Sequence, residues 1–422
     1  MNKNLVVFHL ESLSNVIYQN NADLFPNLKK FSQQCYVYAN YYSTSTSTFM
    51  VMSDLAYGDV SIFEKSKDYT TLIEKRNREK NLFEQLHMEG YYSEIIAPPF
   101  LTESEKQRYI NIFGNVDTYF FADTYKEFRE EIEKALKKKS FAIYITEFIS
   151  HIGYSKFRGK SKGWTDKWKK GYEMLDDLLG FLLKRLEDAS VLEKTVVIAY
   201  GDHGDDFYFH KFNGGFTHAI EPYSSMIRTP LFVYSGSGYK EKNELISTTS
   251  LRKLTEGLVK GAQPDIKETY VFARNLYTAQ KRENNGLNKA FCVTNGEYLL
   301  MASYNGIELY NSIIDSGNGF NILDLFKLKK GRIKCIRNVN LMGGSHIGYI
   351  IGDDFYKEVQ GVYEELSDRL KTYVLKMYDE IGERNRVKEI KQQEINYTSR
   401  IRYYKIVKNY IYLICAKMGL FR

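Results

Sequence analysis

Four short apolar runs, "NLVVFHL", "SFAIYITEF", "KTVVIAY" and "TPLFVYS", recur between residues 4 and 235. None alternates polar with apolar residues, so each needs cover on both faces, as in the strands of a buried parallel sheet. The chain between them supplies that cover. "GYEMLDDLLGFLLKRLED" sets Leu175, Leu178, Leu179, Leu182, Leu183 and Leu186 on one helical side. "NLFEQLHMEGYYSEIIA" reads as a helix, a glycine stop and a strand. The alternation implies an α/β fold, with a mostly parallel central sheet flanked by helices on both faces. After about residue 245 the texture changes. "ETYVFARNLY", "KAFCVTNGEYLLMASYNGIELYN" and "GRIKCIRNV" read as short strands, with hairpin turns at Asn295-Gly296 and Asn305-Gly306. The expected division is an α/β core over 1–245, a smaller antiparallel subdomain with a closing helix over 246–384, and a tail over 385–422.

That tail carries the charge. The net charge is +7, and from residue 385 onward nine Lys and Arg face Glu389 and Glu394, which accounts for all of it. The body is near neutral, so nucleic acid is not an expected partner. Within "RIRYYKIVKNYIYLICAKMGLFR", Tyr404, Val407, Ile411, Ile414 and Met418 share one helical face. A basic amphipathic helix of this kind suits an anionic lipid surface; packing on the body or on a partner is the alternative. Cys35, Cys292, Cys335 and Cys415 are far apart and form no CxxC pair, as expected of reduced thiols. No apolar run reaches the roughly 18 residues of a membrane span, and the N-terminus reads as a strand instead of a signal peptide. The expected location is the cytoplasm, with peripheral contact at the inner membrane face.

In parallel sheets of this type ligands bind outside the carboxyl ends of the strands. The polar residues there are Glu11, then Glu147 with His151, then Asp202 with His203. Two carboxylates and an imidazole at one sheet edge suit a divalent cation; a solvated loop is the plain alternative. Gly201 and Gly204 in "GDHGD" would permit close backbone approach. Asp205 and Asp206 read either as groups orienting His203 or as a polar loop. Asp176 and Asp177 read as the solvated face of the long helix. His9, facing away from the surroundings of Glu11, reads with His87 and His346 as structural or surface residues. The stretch "YYSTSTSTFMVMSDLAYG" is either a polar linker or the holder of one nucleophile among idle hydroxyls.

Taken in order, several segments resemble the sulfatase-like branch of the alkaline phosphatase superfamily, over roughly residues 1–380. "NLVVFHLESL" is similar to the family's opening strand, "LFPNLKKFSQQCYVYANYYS" to the segment before its nucleophile, and "KTVVIAYGDHGD" to its strand and metal-binding Asp-His. "THAIEPYSSMIRTPLFVYS" resembles its later His segment, and "VTNGEYLLMASYNGIELYN" its C-terminal strands. The resemblance implies a nucleophile ten residues before Gly58, which is Thr48, with Ser47 and Ser45 as fallbacks. It implies a metal held by Glu11, Thr48, Asp202 and His203. One ion is favoured. In a two-ion version Glu147, His151 and His218 would form the second site, but Glu147 stands where that pattern has Asp. With one ion, His151 and His218 would contact the transferred group or protonate the leaving group. His210 is a substrate-side candidate. Oxygen-rich ligation favours Mn, Mg or Ca over Zn.

The departures direct the chemistry. Formylglycine-dependent sulfatases carry C/S-x-P-x-R; "TFMVM" has no Pro and no Arg, and "IIAPPF" replaces their "GKWH" segment. A threonine there resembles the phosphoryl-moving branches, such as lipoteichoic acid synthases and phosphoethanolamine transferases. The expected function is a phosphoryl-ester hydrolase or transferase forming a phospho-threonine. Its expected substrate is a phosphorylated or sulfated cell-envelope or capsular glycan, or a lipid-linked precursor. The alternatives are a sulfuric ester hydrolase without formylglycine and a catalytically silent scaffold or glycan-binding relative.

Overall fold

The computed structural model describes residues 2–60, 80–151, 164–207, 210, 218, 221–276, 290–303, 306–318, 321–323, 336–339, 344–347, 353–380 and 411. The tail reading over 385–422, apart from residue 411, lies outside the described residues, as do Asn305 and the side chain of His346. Among the described residues no helix is long and apolar enough to cross a membrane.

The apolar runs form the middle of an eight-stranded sheet, in the order β4-β3-β5-β1-β6-β7-β2-β8. Its strands are β1 (Asn4–Leu10), β2 (Tyr36–Tyr42), β3 (Tyr92–Ala97), β4 (Thr118–Phe121), β5 (Phe141–Ile145), β6 (Thr195–Gly201), β7 (Leu231–Tyr234) and β8 (Lys240–Ser247). Strands β4, β3, β5, β1 and β6 are parallel; β7 runs antiparallel to β6 and β2, and β2 pairs in parallel with β8. Strand β1 is therefore central, with its carboxyl end between those of β5 and β6. Two apolar layers bury the sheet faces, one around Leu5, Val7, Tyr144 and Ile198, the other around Val6, Phe8, Ile143 and Val197. This alternation of inward residues on both faces is what near-continuous apolar strands require.

The helices that matter for the site are α1 (Asn15–Asn20), α2 (Pro26–Ser32), α3 (Thr48–Tyr57), α4 (Leu82–Met88), α5 (Glu103–Phe113), α6 (Tyr125–Ala135) and α7 (Trp164–Asp188). On α7, Leu175, Leu178, Leu179, Leu182 and Leu186 are buried, as the spacing implies. Asp177 is exposed, but Asp176 corrects its reading as solvated: it is buried and accepts from the amides of Asn27 and Leu28 at 2.9 and 2.8 Å. A carboxylate from α7 thus caps the start of α2, whose first-turn amides have no partner within the helix.

Beyond β8, helix α9 (Ser250–Val259), which follows the short α8 (Ser224–Ile227), still packs into the first core through Leu251, Leu254 and Leu258. A separate four-stranded antiparallel sheet follows, ordered β12-β11-β10-β9, from β9 (Val271–Asn275), β10 (Ala290–Thr294), β11 (Tyr298–Ser303) and β12 (Gly306–Asn311). The expected hairpin turn is present at Asn295-Gly296, where Gly296 has φ 93°. Helix α10 (Asp353–Glu380) closes this sheet through Val359, Leu366, Leu370 and Met377. A two-strand hairpin pairs Ile336–Val339 with Gly344–Ile347.

Candidate active site at the strand ends

The site grows from the end of β1. Glu11 follows the last strand residue, and Ser12 then turns the chain at φ 56°, an uncommon conformation for a residue with a side chain. Three hydrogen bonds hold it there: Ser12 N donates to Asp202 Oδ1 (3.0 Å), Ser12 Oγ to Glu11 Oε1 (2.8 Å), and Tyr172 OH to Ser12 O (3.0 Å). Strand β6 delivers Asp202 beside it. A Cβ on Gly201 would lie 2.4 Å from Leu13 O, and one on Gly204 2.4 Å from Ser225 O, so both glycines are needed for the close approach the sequence implied.

His9 corrects its reading as a bystander. His9 of β1 and Glu11 just beyond its end project to the same side, as two-residue spacing favours, and His9 Nε2 lies 3.4 Å from Glu11 Oε2 and 3.1 Å from Asp202 Oδ2. Among the described residues, His9, Glu11 and Asp202 are the His/Cys/Asp/Glu set whose ligand atoms all close to within 4.8 Å. All three are buried; Glu11 Oε2 has no hydrogen-bond partner, and Asp202 Oδ2 faces both His9 Nε2 and His203 Nε2 at 3.1 Å. Burial, then the neighbouring Asp202, holds the Glu11 carboxyl well above the ordinary range. Burial pushes Asp202 the same way, but His203 and His9 outweigh it and hold that carboxyl low. Two buried carboxylates with oxygens aimed at an imidazole nitrogen fit a divalent cation.

Thr48 joins this cluster through His203. Its Oγ1 is 3.0 Å from His203 Nε2, and the same nitrogen is 3.1 Å from Asp202 Oδ2. Ser47 occupies the N-cap position of α3 and Thr48 is the first helical residue, so the Thr48 hydroxyl is not a cap. The helix ends at Gly58 in the left-handed region, φ 69°. Thr44, Ser45 and Thr46 are buried, so "STSTST" is no solvated linker. Ser45 Oγ faces Met50 Sδ at 3.1 Å, inside the fold.

A row of imidazoles continues from His203. Its ring stacks on His218 at 4.5 Å, and His218 meets His151 with Nε2 to Nε2 at 3.2 Å. Asp205 orients His218, accepting from Nδ1 at 3.0 Å; it does not orient His203, whose Nδ1 faces the Gly204 carbonyl. Burial lowers His203 to about 4; burial, then the adjacent His218, lowers His151 to about 3. Burial also opposes charge on His218, but Asp205 outweighs it and raises that imidazole. Glu147 turns elsewhere: its Oε1 accepts from Tyr125 OH at 2.9 Å and from the Ile149 amide at 2.6 Å, and burial lifts it to about 7.

His210 is packed away from the row. Its Nδ1 is 2.5 Å from Asp206 Oδ1, its Nε2 is 2.8 Å from the Asn318 carbonyl, and its ring stacks on Tyr223 at 3.5 Å. Asp206 therefore holds His210, not His203. His87 pairs with Asp117 at 2.9 Å near the surface. Cys35 and Cys292 are free, buried thiols. Sequence reasoning missed His9, whose signal was its two-residue spacing from Glu11. Arg108 on α5 packs its guanidinium 5.0 Å from the ring of Phe49, the residue after Thr48.

A sequence model of the sulfatase family matches residues 3–256, more than half of the chain. Among curated proteins none matches. In solved structures the chain is similar to a 2-O GAG sulfatase, with a TM-score of 0.63 and 14% identity over 90% of this chain and 93% of that one. It is similar to a protein of the alkaline phosphatase superfamily from Vibrio parahaemolyticus, with a TM-score of 0.54 and 14% identity over 77% of this chain and 86% of that one. It is also similar to a phosphonate monoester hydrolase from Silicibacter pomeroyi, with a TM-score of 0.57 and 10% identity over 78% of this chain and 94% of that one. At these identities the structural likeness speaks for the fold, and the match over residues 3–256 speaks for descent. The chain belongs to the sulfatase family.

Proposed function

We propose that this chain is a metal-dependent phosphoryl-ester hydrolase or transferase with Thr48 as its nucleophile. The carrying observation is the Thr48 hydroxyl, 3.0 Å from His203 at the first residue of a helix and beside the acid cluster. Glu11, Asp202 and His203 would hold the cation with Thr48; the closeness of His9 to Glu11 and Asp202 supports it as a further ligand. When held by these residues, a divalent ion would supply positive charge that favours the ionised Thr48 oxygen and the charge of the transition state. Thr48 Oγ forms the new bond to phosphorus as the bond to the leaving oxygen breaks, and the Thr48 hydroxyl proton is released to solvent. The first-turn amides of α3 face the transferred group, as helix N-termini do for anions. His218, kept basic by Asp205, and neutral His151 share a proton across 3.2 Å and can deliver it to the departing alkoxide. Water or an acceptor hydroxyl then releases the group from Thr48.

Phosphorus is preferred to sulfur because "TFMVM" lacks the residues of the formylglycine motif. The substrate class proposed is a cell-envelope or capsular glycan, or its lipid-linked precursor. The second reading, a sulfuric ester hydrolase, draws on similar structures: one is called a GAG sulfatase, and another holds a neocarrahexaose. Bis(p-nitrophenyl) phosphate and p-nitrophenyl sulfate, assayed with manganese, separate the two by which ester is cleaved. Thr48→Ala should abolish turnover of the preferred ester and the covalent phosphoryl adduct seen by intact mass. Near-normal turnover in Thr48→Ala would end the mechanism.

A further inference from the structure

A fully buried arginine from the second sheet grips the segment that carries Thr48. Arg274 lies on β9, and both it and Asp54 of α3 have no exposed side-chain surface. The guanidinium forms a two-pronged pair with Asp54, Nη1 to Oδ2 at 2.7 Å and Nη2 to Oδ1 at 3.0 Å. The same Nη1 donates to the Thr44 carbonyl at 2.9 Å, and the Arg274 amide donates to that carbonyl at 3.0 Å. Thr44 Oγ1 in turn donates to Asp54 Oδ2 at 2.5 Å. One arginine therefore fastens the chain four residues before Thr48 and six residues after it.

We propose that Arg274 and Asp54 form a positioning pair for the nucleophile, through which the C-terminal sheet sets the aim of the Thr48 hydroxyl. This rests on Thr48 being the nucleophile. The physical ground is that a buried ion pair is a poor source of net stability, since desolvation offsets its attraction. What its fork geometry does supply is a fixed orientation, because two parallel hydrogen bonds leave one alignment. The aim matters: a shift near 1 Å in a reacting group costs on the order of 100-fold in rate.

The test compares Arg274→Lys, which keeps the charge and loses the fork, with the double variant Arg274→Met, Asp54→Leu, which removes both charges. Thr48→Ala is measured alongside, and each full-length protein is assayed for kcat, KM, melting temperature and manganese binding. The expected result is a kcat loss of about tenfold or more in both pair variants. KM and manganese affinity should stay within about twofold, and the double variant should melt close to the parent. An unchanged kcat in folded pair variants, with Thr48→Ala inactive, overturns the proposal while sparing the nucleophile. An active Thr48→Ala overturns the nucleophile reading itself. Loss of fold in Arg274→Lys as well would make the pair a structural clamp and also overturn the proposal.

Discussion

Two buried charge clusters lie on either side of Thr48, and they are satisfied in opposite ways. At Asp54 and Arg274 both carboxylate oxygens receive guanidinium hydrogens, and the charges balance. At His9, Glu11 and Asp202 two carboxylates face each other across one imidazole; Asp202 Oδ2 has imidazole nitrogens at 3.1 Å, but Glu11 Oε2 has no hydrogen-bond partner. Burying a charge costs several kcal/mol unless it is paired. The first cluster meets that cost from within the chain. The second meets it only in part, by raising the proton affinity of Glu11, and so suits a cation from outside.

The comparison breaks most visibly in activity. Glu11→Gln and Asp202→Asn should each lower kcat/KM by about three orders of magnitude, in the range seen when transition-state charge loses its partner. Both should abolish the rise in melting temperature that excess manganese gives the parent, which reflects a stabilisation of about 2.7 kcal/mol at a concentration one hundred times Kd. A full manganese response in either variant, read by scanning calorimetry, would remove that residue from the site. Asp54→Asn should do the reverse, leaving the manganese response in place while costing about 3–5 kcal/mol, the usual loss when half of a buried pair is removed. Chemical denaturation checks it.

Glu94 offers a third solution to the same problem. It is buried on β3, and burial, then the neighbouring Glu131, lifts its pKa to about 8 from 4.5. A folded-state value above the unfolded one binds the proton more tightly in the native chain. Its contribution is therefore complete below pH of about 4.5 and lost as pH rises through about 8. Glu94→Gln should flatten that decline, gaining roughly a few kcal/mol over the parent at pH near 9. Urea denaturation at several pH values would show it; parallel pH profiles for the two proteins would refute it. The smallest expected effect is at α2, where Asp176→Ala should cost about 1–2 kcal/mol through loss of a cap without altering kcat.

The legible part of the site was the part tied to strand ends. Glu11, Asp202 and His203 follow apolar runs directly, so the end of each run located them. His9 was equally available through alternation, but its place inside an apolar strand made it look like core. Asp176 was misread because helical spacing places it beside inward leucines, yet says nothing of which neighbouring helix end lies within reach. Asp205 and Asp206 looked interchangeable in "GDHGDD"; their partners, His218 and His210, come from residues whose return to the site is a matter of fold.

Local pattern alone determined the α/β class and which polar residues directly follow the apolar strands. These depend on periods of two and 3.6 residues and on backbone sterics, which act over a few neighbours. Only the tertiary structure decided that His9 joins the acids, that His151 and His218 meet, and that Arg274 reaches Asp54 from 220 residues away. Such contacts depend on which strands lie side by side and on desolvation summed over all their neighbours, and no short window of sequence contains either.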